Sequence, residues 1–283
     1  MRYASTYDKT GAPVVAELQG AGETRDAGDA GDVLVPLAGL TELGEATTAR
    51  ALAAAGRRTA DAFPASEAML RPVIPNPARI FCVGLNYQAH IQETGRNDSG
   101  YPVLFTKFST SLTGPFDILD LPSESVQIDY EGELAFVIGE PGRRISEGDA
   151  SHHVLGYTVA NDVSMRDYQY KTHQWMQGKA WDACTPVGPY LVTPDEVDIT
   201  SQRISTVLNG EKVQDSAIEL LIFSIPRLIA TISEFTALRT GDLILTGTPS
   251  GVGHRRTPPL YLKPGDVISV EVTGVGTLRN AIA

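Results

Sequence analysis

The sequence predicts a mainly β protein with some α-helix, and three observations lead to this class. Residues 134–138, Leu-Ala-Phe-Val-Ile, are apolar on both faces of a strand, as is typical of a strand buried within a domain. Residues 79–84 and 156–161 have the same character. Gly-Asp turns at 241–242 and 265–266 each precede another apolar strand.

The N-terminal part of the chain predicts a small α/β domain over residues 1–72. Residues 2–18 alternate around a turn and predict a hairpin, and the Ala-rich stretch 47–55 predicts a helix. A second helix is predicted over 57–69, before a proline-rich linker. Nothing here has catalytic spacing, so residues 73–283 are predicted to form the catalytic domain.

Composition excludes several classes of function. The formal net charge of -11 disfavours nucleic acid as a partner, because its phosphates would be repelled and no basic stripe offsets the balance. No apolar run is long enough to span a bilayer, and the N-terminus lacks a basic region followed by an apolar core. We therefore expect no membrane association and a cytoplasmic location. Cys82 and Cys184 form no metal or redox motif and are predicted to be buried apolar residues.

A candidate general base follows the strand at 79–84. Asn86 is predicted to cap a helix on which His90 and Glu93 are i,i+3 neighbours. A carboxylate at that spacing can orient the imidazole as a base, although an isolated His-x-x-Glu is more often a surface pair. Four other histidines lack such a partner and are predicted to lie at the surface: His152, His153, His173 and His254.

The next segment is predicted less specifically. Residues 94–101 are polar and glycine-rich, which suits a lid over a site and equally an ordinary surface loop. Lys107, on the strand after it, either faces a site or faces solvent, and solvent is slightly favoured.

The motif Asp129-Tyr130-Glu131-Gly132-Glu133-Leu134 predicts a metal site. On a strand, Asp129, Glu131 and Glu133 share one face, where their charges repel unless a cation offsets them. A hard divalent ion with oxygen ligands suits such a row best. The alternative is a solvated edge strand, but the apolar run that follows argues for burial.

A third metal ligand is predicted at the end of the strand 156–161. Asp162 follows that strand, and Ser164 is predicted to cap a helix on which Arg166 and Gln169 share a face. The Gly and Pro content of residues 173–189 predicts an ordered loop without a regular helix, which presents Lys179.

Residues 246–253, Thr-Gly-Thr-Pro-Ser-Gly-Val-Gly, are too rich in glycine for a strand interior. They lack the Gly-Lys-Ser/Thr ending of a phosphate-binding loop. Glycines there permit close approach of the backbone to a ligand, and Thr248 can donate its hydroxyl to a substrate carboxylate, although a tight turn fits equally well.

These motifs together resemble the fumarylacetoacetate hydrolase superfamily, in the family's order from about Ile80 to the C-terminus. The resemblance implies a mixed β-sandwich roll, a homodimer, and a Mg²⁺ or Mn²⁺ site that binds a 2-oxo acid. It implies metal ligation by Glu131, Glu133 and Asp162. It also implies that the His90–Glu93 pair activates water, and that three further side chains surround the substrate, where one of them acts catalytically by stabilising an oxyanion: Lys179, Arg166 or Gln169.

The resulting hypothesis is hydrolysis of a carbon–carbon bond in an acylpyruvate. Fumarylpyruvate, the ring-cleavage product of gentisate in aromatic catabolism, is favoured because Arg166 or Lys179 could bind its distal carboxylate. The nearest alternative is decarboxylation or tautomerisation of oxaloacetate, which needs the ion and an acid/base but no hydrolytic water. Hydrolysis of a 2,4-dioxo sugar acid and a non-catalytic ligand-binding sandwich protein remain open.

Overall fold

A computed structural model describes residues 1–20, 31–95 and 100–283 of the chain. The described residues are mainly strands with short helices, which confirms the predicted class. The strands are β1 (Arg2–Tyr7), β2 (Pro13–Gln19), β3 (Val33–Pro36), β4 (Phe63–Pro64), β5 (Ile80–Gly84), β6 (Val103–Lys107), β7 (Leu112–Thr113), β8 (Ile128–Asp129), β9 (Gly132–Ile138), β10 (Val154–Asn161), β11 (Ser164–Met165), β12 (Thr185–Val192), β13 (Arg203–Leu208), β14 (Glu211–Ala217), β15 (Leu243–Leu245), β16 (Val267–Val272) and β17 (Gly276–Ala281).

The helices are short and confirm part of the sequence prediction. The predicted helix at 47–55 begins after Thr48, whose hydroxyl accepts a hydrogen bond from the Ala51 amide. The helix predicted over 57–69 is wrong, because Phe63–Pro64 pairs with β3 and Pro64 has no amide hydrogen for a helix. The helices are α1 (Ala49–Ala54), α2 (Gln88–Thr94), α3 (Arg166–Gln169), α4 (Met176–Lys179) and α5 (Ile225–Phe235).

Two sheets form the sandwich. The large mixed sheet has the strand order β4-β3-β2-β1-β12-β10-β9-β15-β5-β6, and β7 pairs with β12 at its side. The small sheet has the order β14-β13-β16-β17. It lies against β9 and β10, and the buried side chains of both sheets form one apolar core between them.

Strand β9 shows how the sequence pattern places the site. Leu134 and Phe136 belong to the core between the two sheets, whereas Ala135 and Val137 belong to the core on the opposite face of the large sheet. Glu133 has the same parity as Ala135, and every residue of β9 is buried. The strand therefore carries its carboxylate away from the small sheet and into the interior.

The N-terminal strands are continuous with the large sheet. Strands β1 and β2 form the predicted hairpin, and β1 pairs with β12 through Arg2 opposite Val192 and Tyr3 opposite Leu191. The division of the chain at residue 72 stays a prediction, as does the homodimer.

Two further sequence predictions concern the segment 94–101 and membrane-spanning helices. Residues 96–99, half of the segment 94–101 that is predicted as a lid or a surface loop, lie outside the described residues. None of the helices in the described ranges is long and apolar enough to cross a membrane.

Candidate active site

Three buried carboxylates meet where β9 and β10 run side by side. Glu131, Glu133 and Asp162 each offer a carboxylate oxygen, and these oxygens lie within 4.8 Å of one another. The antiparallel register places Glu133 opposite Ala160, one residue pair from the end of β10. The Asp162 amide then donates to the carbonyl of Glu131 at 2.8 Å, which fixes the two chain segments together. The sequence prediction therefore named three residues that the fold brings together.

Three buried cations surround this cluster. Lys179 Nζ lies 2.6 Å from Oε2 of Glu131 and 2.8 Å from Oδ2 of Asp162. Lys107 donates to the other oxygen of Asp162, and Arg166 Nη1 lies 2.7 Å from Oε1 of Glu131. The preference for a solvent-facing Lys107 is wrong, because its side chain is fully buried in this ion pair.

Glu133 differs from the other two carboxylates in its partners. Within the described ranges no lysine or arginine pairs with it, and its Oε2 accepts a hydrogen bond from the Gly247 amide at 2.7 Å. Burial raises the pKa of Glu133 well above its usual range, and the charges of Asp162 and Glu131 raise it further. Burial would also raise the pKa of Glu131, but Lys179 and Arg166 outweigh it and lower that pKa to about 2.

The donor set fits a hard divalent cation. All three donors are carboxylate oxygens, the ligand type that Mg²⁺ and Mn²⁺ prefer. Counting Asp129, which pairs with Arg166, four buried carboxylates of the described residues face three buried cations, so the local formal charge of these groups is negative. A cation bound by Glu133 and its neighbours would remove the repulsion that raises the Glu133 pKa.

Asp129, the first residue of the carboxylate motif, has a different role. Its Oδ1 accepts the Gly253 amide at 2.7 Å, and its Oδ2 lies 2.8 Å from Arg166 Nη2. Arg166 also donates from Nη1 to Oε1 of Gln169 at 2.9 Å. The shared face of Arg166 and Gln169 is confirmed. The predicted Ser164 cap is wrong, because Ser164 and Met165 pair with β8 as β11 and the helix begins only at Arg166.

The His90–Glu93 pair lies on α2 as predicted. Nδ1 of His90 is 3.2 Å from Oε2 of Glu93, and the His90 side chain is 8% exposed. The predicted Asn86 cap is wrong: Tyr87 precedes the helix, and the buried Asn86 side chain binds Phe223 and the carbonyl of Thr246. Asn86 thus ties the turn before α2 to the glycine-rich segment.

The glycine-rich segment 246–253 binds carboxylates of the protein through its amides. Gly247, Gly251 and Gly253 donate to Glu133, Glu93 and Asp129 respectively. Gly247 has φ +99°, and a side chain there would meet the Val83 carbonyl at 2.9 Å. The described backbone closely approaches side chains of the site, and its predicted approach to a ligand stays a prediction.

One cleft joins these groups. His90 and the inner carboxylate Glu131 line it, together with four other predicted residues: Arg166, Gln169, Lys179 and Thr248. Thr248 Oγ1 accepts a hydrogen bond from Gln214 at 2.8 Å, so its own proton is available to a ligand. Short helix α4 presents Lys179, where the sequence predicted no regular helix.

The sequence analysis missed several residues of the cleft wall. His254, predicted to lie at the surface, lines the cleft and contacts Tyr261 through Nδ1 at 2.8 Å. Arg255 lines it as well and donates to the Thr94 carbonyl at 3.0 Å. Phe105 and Trp175 form an edge-to-face aromatic pair at the wall. In the sequence, His254 and Arg255 could have been indicated only by their position directly after the glycine-rich segment.

Comparison with known proteins identifies relatives. Residues 79–283 match the family model described as fumarylacetoacetate (FAA) hydrolase C-terminal. The mitochondrial oxaloacetate tautomerase of Xenopus laevis is 45% identical over 212 residues, which cover 74% of this chain and 66% of that protein. The oxaloacetate tautomerase of Bacillus subtilis is 44% identical over 222 residues, 77% of this chain and 74% of that protein.

Solved structures show the same architecture. The structure described as 5-carboxymethyl-2-hydroxymuconate delta-isomerase from Mycobacterium smegmatis superimposes with a TM-score of 0.82 at 32% identity. The match covers all of this chain and 99% of that one. The fold predicted from the resemblance is therefore confirmed.

Proposed function

This chain belongs to the fumarylacetoacetate hydrolase family, and we propose that it is a divalent-metal-dependent oxaloacetate tautomerase. The observation that carries the proposal is a cleft lined both by His90 and by Glu131, which is one member of a buried cluster of three carboxylates. The names of the relatives, oxaloacetate tautomerases at 44% and 45% identity, support this substrate over fumarylpyruvate. Oxaloacetate tautomerisation, an alternative in the sequence analysis, thus replaces fumarylpyruvate hydrolysis, and the hydrolase assignment is not retained.

The metal is proposed to bind to Glu131, Glu133 and Asp162. It would supply a Lewis acid for the carboxylate and carbonyl oxygens of a 2-oxo acid. Lys179 lies 2.6 Å from Glu131 and opens onto the cleft, so its ammonium group donates a hydrogen bond to the substrate oxygen on C2. Burial would lower the pKa of Lys179, but Asp162 and Glu131 raise it above its ordinary value, so that this donor stays protonated.

His90 is proposed to move the proton. Tautomerisation transfers one proton between C3 and the oxygen on C2, with no net consumption of water. Glu93 holds Nδ1 of His90, which leaves Nε2 to take the proton from C3 and deliver it to the oxygen on C2, or to move it in the opposite direction when the enol becomes the keto form. General bases of this kind typically contribute about 10²- to 10⁴-fold in rate.

The distal carboxylate of oxaloacetate is proposed to bind at Arg255. Arg166 and Lys179, the groups first considered for this role, are already paired with Asp129, Glu131 and Asp162. Arg255 lines the same cleft, and among the described residues it donates to the neutral carbonyl of Thr94 and pairs with no carboxylate. A dicarboxylic 2-oxo acid therefore fits the charges of the cleft better than a monocarboxylic one does.

A direct comparison of substrates tests the proposal. The protein is loaded with Mg²⁺ or Mn²⁺, and the ultraviolet absorbance of enol-oxaloacetate is followed as it converts to the keto form. Pyruvate formation from oxaloacetate, and fumarate formation from fumarylpyruvate, are measured on the same samples. We expect accelerated enol decay that chelator abolishes. Metal-dependent cleavage of fumarylpyruvate without that acceleration would contradict the proposal and restore the hydrolase hypothesis.

A further inference from the structure

The peptide group of Gly251 connects the carboxylate motif to the His90 helix. Its amide donates to Oε1 of Glu93 at 2.9 Å, and its carbonyl accepts a hydrogen bond from the Tyr130 hydroxyl at 3.0 Å. Gly251 has φ +103°, and a side chain there would lie 2.0 Å from the carbonyl oxygen of Val213. The backbone is therefore packed closely at this point.

Glu93 links the Gly251 backbone to His90, the proposed base. One of its oxygens, Oε1, is held by the Gly251 amide, and the other, Oε2, is the one that lies 3.2 Å from His90 Nδ1. A carboxylate bound at both oxygens has little freedom to rotate. The position of Gly251 thus affects the direction of the imidazole.

The Tyr130 side chain can hold Gly251 in a fixed position. Its ring is fully buried and belongs to an apolar cluster that includes Val163 and Met165, so the position of its hydroxyl is fixed by packing. Arg256 gives the same carbonyl a longer contact, at 3.4 Å from Nε. Tyr130 is not one of the described residues that line the cleft, so it has no direct contact with a substrate there.

We propose that Tyr130 is a positioning residue, which acts on the reaction through Gly251, Glu93 and His90. The inference rests on the proposed function, because it needs His90 to be the base. The three consecutive side chains of this motif then have three roles. Asp129 binds Arg166, Glu131 belongs to the proposed metal site, and Tyr130 holds the segment that contacts the His90 helix.

A double-mutant cycle on the full metal-loaded chain tests this role. The kcat and KM for oxaloacetate tautomerisation are measured for Tyr130→Phe, His90→Ala and the double variant, with Mn²⁺ affinity measured for each. Tyr190→Phe is the matched control, because Tyr190 is a buried core tyrosine outside the cleft lining. We expect Tyr130→Phe to lower kcat about 3- to 10-fold, the loss of one hydrogen bond, with KM and Mn²⁺ affinity unchanged.

The cycle separates a positioning role from a structural one. In the His90→Ala background Tyr130→Phe should have no further effect, because the side chain it positions is gone. An equal loss in both backgrounds, an unchanged kcat, or weakened Mn²⁺ binding that accounts for the loss would each overturn the inference. Full activity of His90→Ala alone would instead refute the base assignment in the proposed function.

A second pair of measurements keeps the test valid if Tyr130→Phe folds poorly. Arg256→Gln removes a second side chain that contacts the Gly251 carbonyl, and it should show a smaller loss with the same dependence on His90. The imidazole NMR resonances of His90 should shift in Tyr130→Phe or Arg256→Gln and stay unchanged in Tyr190→Phe. Unshifted resonances in every variant would contradict the inference.

Discussion

Lys179 and Glu131 form a buried ion pair, with Nζ 2.6 Å from Oε2, at the inner end of the cleft. The same Nζ lies 2.8 Å from Asp162, so one lysine bridges two of the three carboxylates proposed as metal ligands. The chain's own cations thus offset part of the negative charge of the cluster before any metal is considered. Its stability and its metal affinity are consequently linked.

Replacing Lys179 by Met should destabilise the metal-free protein. The substitution leaves Glu131 and Asp162 buried with one cation fewer, and breaking a buried pair in this way typically costs about 3 to 5 kcal/mol. Mn²⁺ should restore much of the loss, since it supplies positive charge at the same place. Urea unfolding with and without Mn²⁺ measures both effects. Lys263→Met is the control: its side chain is 67% exposed, and the loss should stay below about 1 kcal/mol.

Replacing Glu133 by Gln should weaken metal binding at least about 10-fold. The amide oxygen can still accept the hydrogen bond from Gly247, so the local structure is retained while the charge is lost. Isothermal titration with Mn²⁺ measures the affinity. Glu211→Gln, with a side chain that is 72% exposed, should bind Mn²⁺ like the unaltered chain. Equal affinities for all three proteins would mean that Glu133 is not a ligand.

Replacing Arg255 by Gln should raise the KM for oxaloacetate about 10-fold and leave kcat nearly unchanged. A charge-assisted hydrogen bond to the distal carboxylate is lost, and such bonds typically contribute about 1.5 to 3 kcal/mol. The metal-dependent exchange of methyl protons in pyruvate, which has no second carboxylate, should show an unchanged KM. Arg203→Gln, on an exposed ion pair, serves as the control. A KM that rises equally for both acids would exclude a distal-carboxylate role.

The two cysteines should not react with thiol reagents in the native protein. Burial raises the pKa of the Cys82 thiol well above its usual range, and burial raises that of Cys184 to about 11. Only the thiolate is nucleophilic, so a raised pKa leaves little reactive form at pH 7. Alkylation followed by mass spectrometry should find both thiols free before unfolding and modified after it. Rapid labelling of either thiol in the folded protein would contradict this picture.

Local patterns and the family resemblance together predicted the carboxylate cluster. Period-two alternation and an apolar continuation placed Glu131 and Glu133 in the interior, a strand end marked Asp162 as a candidate, and the resemblance grouped it with them. Lys107 was not predictable in this way, because either face of its short strand could have been solvated. The hydrogen bonds from Gly247 and Gly251 to Glu133 and Glu93 join residues more than 100 positions apart, so no local pattern reports them.

The sequence motifs alone did not determine which reaction the site catalyses. A metal-bound 2-oxo acid and a His–Glu base are compatible with hydrolysis, decarboxylation and tautomerisation, since all three pass through related electronic changes at the same carbons. The relatives, rather than the residues alone, favour oxaloacetate. Homodimerisation and the cytoplasmic location remain predictions.

The most direct test of the central claim is proton exchange at C3 of oxaloacetate, followed by NMR in D₂O with the Mn²⁺- or Mg²⁺-loaded protein. The diamagnetic Mg²⁺ form gives the spectra, and Mn²⁺ titration verifies that the metal site is intact. The account predicts fast exchange by the unaltered chain, and an exchange rate about 10²- to 10⁴-fold lower for His90→Ala with unchanged metal affinity. Exchange by His90→Ala at the rate of the unaltered chain would contradict it.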